Sequence, residues 1–291
     1  MFWDFVPAFK AKHTTSASAK KRLQELILNY ELMSTKSIHS RQYLKKALFT
    51  LPQGMPVTSS HLEQWGISRQ LAHRYVLSGW LESLGYGYYV RMGDSLTVTG
   101  AVTGLEMQGV AVHIGGKSAL SLRGAVHYLA QGKERLSLYG VTKKRLPPWF
   151  VRRFPCEARR SRLFKEEDAT EKRLYVRHLE EKEPHSPFVS EPERALLEML
   201  EGVPQKQTTD EAHKIMEPLY TLRPEAVQTL LEACTKIKVK RLFFSIADGL
   251  KLPVLKHLDL SGIDFGAPSV YILTKKGGAL ILKHPMAAYD E

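Results

Sequence analysis

The sequence is poor in cysteine, short of acidic residues relative to basic ones, and without a long apolar run. Its 291 residues include two cysteines, Cys156 and Cys234, far apart. That excludes a disulfide framework and the paired spacing of a structural zinc site, and it points to a reducing compartment. No segment approaches the roughly 18 apolar residues of a membrane span. The opening MFWDFVPAFKAKH is broken by Asp4, Pro7 and Lys10, so it has no secretory apolar core. A cytoplasmic location is the expectation.

Catalytic signatures are also missing. Eleven histidines are scattered without metal-ligand spacing. There is no G-x-S-x-G elbow and no kinase motif set. His257, Asp259 and Asp264 read as a polar loop. Cys156 sits beside Arg152, Arg153, Arg159 and Arg160, cations that lower a thiol pKa, but no base stands at a useful spacing. Gly116-Lys117-Ser118 match the end of a phosphate loop, yet its first glycine falls on Ala111. The expected reading there is a strand-to-helix turn with Ser118 as helix cap. The chain is expected not to be an enzyme and to need no cofactor or metal.

What is present is positive charge, unevenly placed. The formal net charge is +12. Residues 1–100 carry twelve Lys/Arg against six Asp/Glu, residues 101–187 seventeen against ten, and residues 188–291 thirteen against fourteen. An excess confined to the first two thirds points to a polyanionic partner. A plain solubility charge is the bland alternative.

The element pattern sharpens this. A basic arm, with Lys20, Lys21 and Arg22, leads into helices expected over 23–32 and 41–51. Pro52, Gly54 and Pro56 end the second. TSSHLEQWGI offers a Ser/Thr cap and a short helix that stops at Gly66. Ser68 caps a third helix that ends at Gly79. Leu81–Leu84 and Tyr88–Arg91 then pair across Gly85-Tyr86-Gly87. Helix, short helix, helix, hairpin is the order of a winged helix-turn-helix. In the third helix Ala72, Tyr75 and Val76 face the core, and Arg69, Gln70, His73 and Arg74 face outward. Arginine can fork onto guanine O6/N7 and glutamine can pair with adenine N6/N7. Ser68, Arg69, Gln70, His73 and Arg74 are therefore candidate DNA contacts, with Tyr86, Tyr88 and Arg91 on the wing. A protein-docking winged helix is the competing reading.

Beyond residue 100 the chain reads as α+β, with strands first and a helical set after. Strands are expected over 110–114 and 174–179, a strand and turn over 136–145, and a helix from Ser118 to Leu129. Residues 143–165 hold nine Lys/Arg and one acid. Lys143, Lys144, Arg145, Arg152, Arg153, Arg159, Arg160 and Arg162 are further polyanion contacts, or else cations that protect a strand edge. The interleaved Trp149, Phe150 and Phe154 read as core. SEPERALLEMLEGV carries a capping box, Ser190 with Glu193. Helices are expected over 211–220, 224–234 and 242–250, with two strands near 269–273 and 279–283.

These residues resemble a known family. GISRQLAHRYVLSGWLESLGYGYYV, HIGGKSALSLRGAVHYL, and the ordered set SEPERALLEML, LYTLRPEAVQTLLEAC and KVKRLFFSIAD are similar to the AbiEi antitoxins of bacterial type IV (AbiE) toxin–antitoxin systems, which act in abortive infection and phage defence. The resemblance covers most of the chain, with residues before 40 outside it. It implies a winged-helix domain over 1–100 that binds inverted repeats of its own operator and represses transcription. It implies an α+β antitoxin domain over 101–291 that counters a nucleotidyltransferase-like toxin, with or without direct contact. The alternative is a protein- or RNA-interaction module that uses the basic 143–165 stretch.

Overall fold

The computed structural model describes residues 53–125, 135–140, 146–160, 162–165, 173–183, 185–275 and 278–285. The helices expected over 23–32 and 41–51 lie outside them. Of the described residues, Ser59–Arg74 belong to one compact unit, and 53–58 with the residues from 75 onward belong to a second.

In the first unit α1 (Ser59–Gln64) is followed by α2 (Arg69–Leu77), which continues into the second. The turn between them is a Schellman motif. Gly66 N–H donates to Glu63 O at 2.9 Å and Ile67 N–H to Leu62 O at 2.8 Å. The motif needs a left-handed residue, and Gly66 supplies it with φ +73°. Ser68 caps α2, its hydroxyl accepting from Leu71 N–H at 3.3 Å. The same device ends α2: Trp80 N–H reaches Tyr75 O across Gly79.

The second unit opens with β1 (Val57–Thr58), β2 (Leu81–Gly85) and β3 (Tyr88–Arg91), an antiparallel sheet in the order β1-β3-β2. After α3 (Val98–Glu106) come β4 (His113–Ile114), α4 (Gly116–Leu122), β5 (Leu136–Tyr139), α5 (Pro148–Arg153), β6 (Cys156–Arg159), β7 (Val176–His178) and β8 (Phe188–Ser190). Five of these strands form a mixed sheet, β6-β5-β4-β8-β7. Its β5–β6 and β4–β8 pairs are parallel and its β4–β5 and β7–β8 pairs antiparallel. The helical set follows: α6 (Pro192–Glu201), α7 (Thr209–Met216), α8 (Pro224–Ala233) and α9 (Ile237–Gly249). A hairpin, β9 (Tyr271–Lys275) with β10 (Gly278–Leu282), ends the described chain. The α+β class expected from the sequence is observed.

One core runs through the second unit, with Ile114, Leu138, Phe150, Leu196, Leu230, Phe243 and Phe265 almost fully buried. Each such side chain contributes roughly 1.5–3 kcal/mol. Trp149 and Phe150 are core as expected, and Phe154 packs at its margin.

Several local expectations need correction. Helix α4 stops at Leu122, well before Leu129. Ser118 does not cap it: its buried hydroxyl accepts from Ser137 N–H at 3.0 Å and ties α4 to β5. The capping box at Ser190 also fails. Ser190 is the last residue of β8, the N-cap position of α6 falls on Glu191, and the Ser190 hydroxyl donates to Glu198 instead. Helix α9 starts at Ile237, five residues before the helix expected over 242–250, and takes in Lys238 and Lys240.

Candidate nucleic-acid interface

The row of side chains expected to face outward on α2 does so. Ser68, Arg69, Gln70, His73 and Arg74 are all exposed, while Ala72 and Tyr75 are buried and Val76 is half-buried. The cause is the 3.6-residue period, which puts Arg69, His73 and Arg74 on the side opposite Ala72 and Tyr75. Arg69 is 79% exposed and pairs with Glu63 of α1, Nε to Oε1, at 3.0 Å.

The hairpin divides its candidates differently. Tyr86, at the tip, is 77% exposed and left-handed at φ +55°, a conformation uncommon outside glycine. Tyr88 is 7% exposed, and its ring lies 5.2 Å from that of Trp149. Burial pushes its phenol pKa up. It is a core residue and leaves the contact set. Strand alternation is the reason, since Tyr88 and Val90 share the inward face of β3. Arg91 is half-buried and paired with Asp94 at 3.0 Å.

Of the basic 143–165 stretch, Lys143, Lys144 and Arg145 lie outside the described residues, as do Lys20, Lys21 and Arg22 of the arm. Arg152 and Arg153 are exposed at the end of α5, and Arg160 and Arg162 are exposed beyond β6. Arg159 is engaged inside: it pairs with Glu157 at 3.2 Å and lies over the Tyr139 ring at 5.6 Å. Cys156 is buried in β6, and burial raises its thiol pKa, the reverse of an activated nucleophile.

The Gly115–Ser118 turn shows why the phosphate-loop resemblance is superficial. The anion at the start of α4 is the protein's own. Gly116 N–H donates to the Glu198 carboxylate at 3.1 Å, and Lys117 pairs with Glu211 at 2.8 Å. A Cβ on Gly115 would stand 2.2 Å from Glu198 Oε2, so only glycine fits.

Glu198, 1% exposed, is the hub of a buried network that sequence reasoning missed. It accepts from Ser190 Oγ at 2.9 Å, Arg194 Nε at 2.8 Å and His113 Nε2 at 2.9 Å. Arg173 Nη1 lies 2.8 Å from His113 Nδ1. A guanidinium only donates, so Nδ1 accepts and the imidazole proton sits on Nε2. Burial holds His113 neutral. Burial alone would raise the Glu198 carboxyl, but His113 and Arg194 outweigh it and keep it ionised. The network joins β4, β8 and α6 and offers no opening to a substrate.

A cleft of about 570 Å³ lies between Leu122, Leu219 and Leu222, with Arg123, Arg223 and Glu191 on its walls. Its arginines are engaged. Arg123 donates to the Ser190 and Val189 carbonyls, and Arg223 pairs with Glu191 and Glu193. Among the described residues no cluster of three His, Cys, Asp or Glu could hold a metal, and no helix is long and apolar enough to cross a membrane.

Two family models match the chain. Residues 40–131 fit the model described as a transcriptional regulator, AbiEi antitoxin N-terminal domain. Residues 133–288 fit that of a transcriptional regulator, AbiEi antitoxin, of a type IV toxin–antitoxin system. The chain belongs to the AbiEi antitoxin family. The AbiEi family is one of regulators rather than enzymes. No curated protein matches the sequence. Among solved structures, the crystal structure of the RV2827C protein from Mycobacterium tuberculosis is similar at 15% identity and a TM-score of 0.50, over 80% of this chain and 87% of that one. That likeness concerns the fold alone.

Proposed function

We propose that this AbiEi chain binds operator DNA as the autorepressor of its own operon and is the antitoxin to a nucleotidyltransferase-like toxin in the bacterial cytoplasm. In this reading residues 1–100 serve as a winged helix-turn-helix and residues 101–291 as the antitoxin domain. The observation that carries it is the outward row of α2. Arg69, Gln70, His73 and Arg74 present donors suited to base edges, on a helix capped by Ser68 and preceded by a tight turn. Tyr86, exposed and backbone-strained at the hairpin tip, suits a contact to the sugar-phosphate backbone. Inverted repeats in the operator would recruit two copies.

A second reading has its own support. Arg152, Arg153, Arg160 and Arg162 are exposed, and they suit the toxin, or an RNA on which the toxin acts, without sequence-specific DNA binding. A reporter fused to the region upstream of the gene separates the two. The first predicts repression when the chain is supplied in trans, and its loss in Arg69→Ala/Arg74→Ala. The second predicts an unrepressed reporter together with growth rescue from the toxin that depends on the 152–162 arginines.

A further inference from the structure

We infer that Glu63 is a positioning residue for Arg69, one that sets which atoms of the guanidinium read a base and keeps them from settling on phosphate. The inference rests on the DNA-binding reading above and adds a specificity determinant on the preceding helix.

The geometry is local. Glu63 is in the last turn of α1 and Arg69 is the first residue of α2. The five residues between them are held by the Schellman turn and by Ser68, whose carbonyl accepts from Ala72 N–H at 2.8 Å and whose hydroxyl accepts from Leu71 N–H. The two side chains therefore project from a fixed frame. Glu63 Oε1 accepts from Arg69 Nε at 3.0 Å. Nε is the lateral nitrogen of the guanidinium. Engaging it fixes the plane of the group and turns the terminal Nη1 and Nη2 outward, as the fork that matches guanine O6 and N7.

The carboxylate also disfavours the alternative partner. A guanidinium on a flexible stem settles readily on a phosphate, which carries no sequence information. Held at Nε by Glu63, the guanidinium is not free to swing toward one, while its outward fork still matches guanine O6 and N7. The pair is 79% and 47% exposed, so both side chains are within reach of a ligand. Exposed ion pairs add little to stability. The consequence of this one lies in placement.

The test is a fluorescence-anisotropy series with the full chain. The probes are duplexes tiled across the region upstream of its own gene and a scrambled duplex, each at two salt concentrations. The variants are Glu63→Ala, Glu63→Gln and Arg69→Ala. Glutamine keeps an acceptor for Nε and removes the charge; alanine removes both. Glu63→Ala is expected to lower the ratio of specific to scrambled affinity by about tenfold, the size of one good base contact. It should also steepen the salt dependence on scrambled duplex by about one unit of slope, as Arg69 moves to a phosphate. Glu63→Gln is expected to hold the ratio within about threefold of wild type, well inside one base contact.

The inference is overturned if Glu63→Ala keeps the wild-type ratio while Arg69→Ala loses it. Equal losses in the alanine and glutamine variants also overturn it, because repulsion rather than placement would then be the cause. A wild-type chain without preference, or an Arg69→Ala chain that keeps it, fails one step earlier: the recognition-helix reading falls and this inference with it.

Discussion

Arg69 and Arg74 on α2 stand exposed, whereas Arg173, Arg194 and Arg241 in the second unit are buried and turned inward. Arg194 donates to Glu198 and to Leu174 O at 2.7 Å, and lies over the Phe164 ring at 4.6 Å. Arg241 donates to the carbonyls of Phe265, Ala267 and Ser269. Lys238 and Lys240 do the same for Glu201, Val203 and Asp264. Two regions of one basic chain thus use cations for opposite ends. The buried cations of the second unit satisfy carbonyls and carboxylates that burial would otherwise leave unpaired. On α2 the cations are presented outward. The formal charge of +12 therefore overstates what a polyanion can meet.

The largest effect should come from breaking the inward set. Glu198→Ala leaves Arg194 without its carboxylate and the start of α4 without its cap. It is expected to cost about 3–5 kcal/mol in urea unfolding, the range for halving a buried ion pair. A loss under about 1 kcal/mol would mean that the network is incidental. The outward set should behave in reverse. Arg69→Ala is expected to cost about 1–3 kcal/mol of operator affinity and to leave the unfolding midpoint nearly unchanged, within about 0.5 kcal/mol.

A carboxyl in the second unit gives a pH test. Burial raises the Glu106 pKa to about 9, against the Phe188 N–H and Arg173, which lower it. Its folded pKa lies above its unfolded one, so its contribution is complete below about 4.5 and is lost as pH rises toward 9. Wild-type stability should fall between pH 6.5 and 9 by at most about 1.4 kcal/mol per pH unit. Glu106→Gln should flatten that fall, as read from urea midpoints at both ends of the range. An identical slope in the variant would put the titration elsewhere. The smallest effect belongs to Arg152→Ala and Arg153→Ala. Each should reduce the salt slope by about one unit on operator and scrambled duplex alike if the side chain meets a phosphate. Unchanged slopes would remove the 152–153 cations from any nucleic-acid surface.

Helices α1 and α2 and the β2–β3 hairpin were legible because their punctuation is local. Gly66, Ser68, Gly79 and the Gly85–Gly87 tip mark boundaries that the structure matches to within a residue or so. The burial of Tyr88 is local as well, since strand parity places it with Val90 on the inward face of β3. The inward network was not legible. Glu198 finds His113 and Gly116 more than eighty positions away, and no periodicity within α6 announces them. Ser118 and Ser190 leave the capping roles that local patterns favour for partners 19 and 8 positions further on, Ser137 and Glu198. Arg159 and Lys240 look like surface cations in sequence and become structural only once carbonyls and rings close around them.

Everything proposed for the N-terminal region turns on whether the exposed row of α2 reads DNA. The most direct test is an anisotropy titration of wild type and Arg69→Ala/Arg74→Ala on upstream and scrambled duplexes. A wild-type preference of roughly a thousandfold or more is expected, collapsing in the double variant while its thermal midpoint holds. Equal binding of both duplexes by wild type, or an undiminished preference in the double variant, would contradict it.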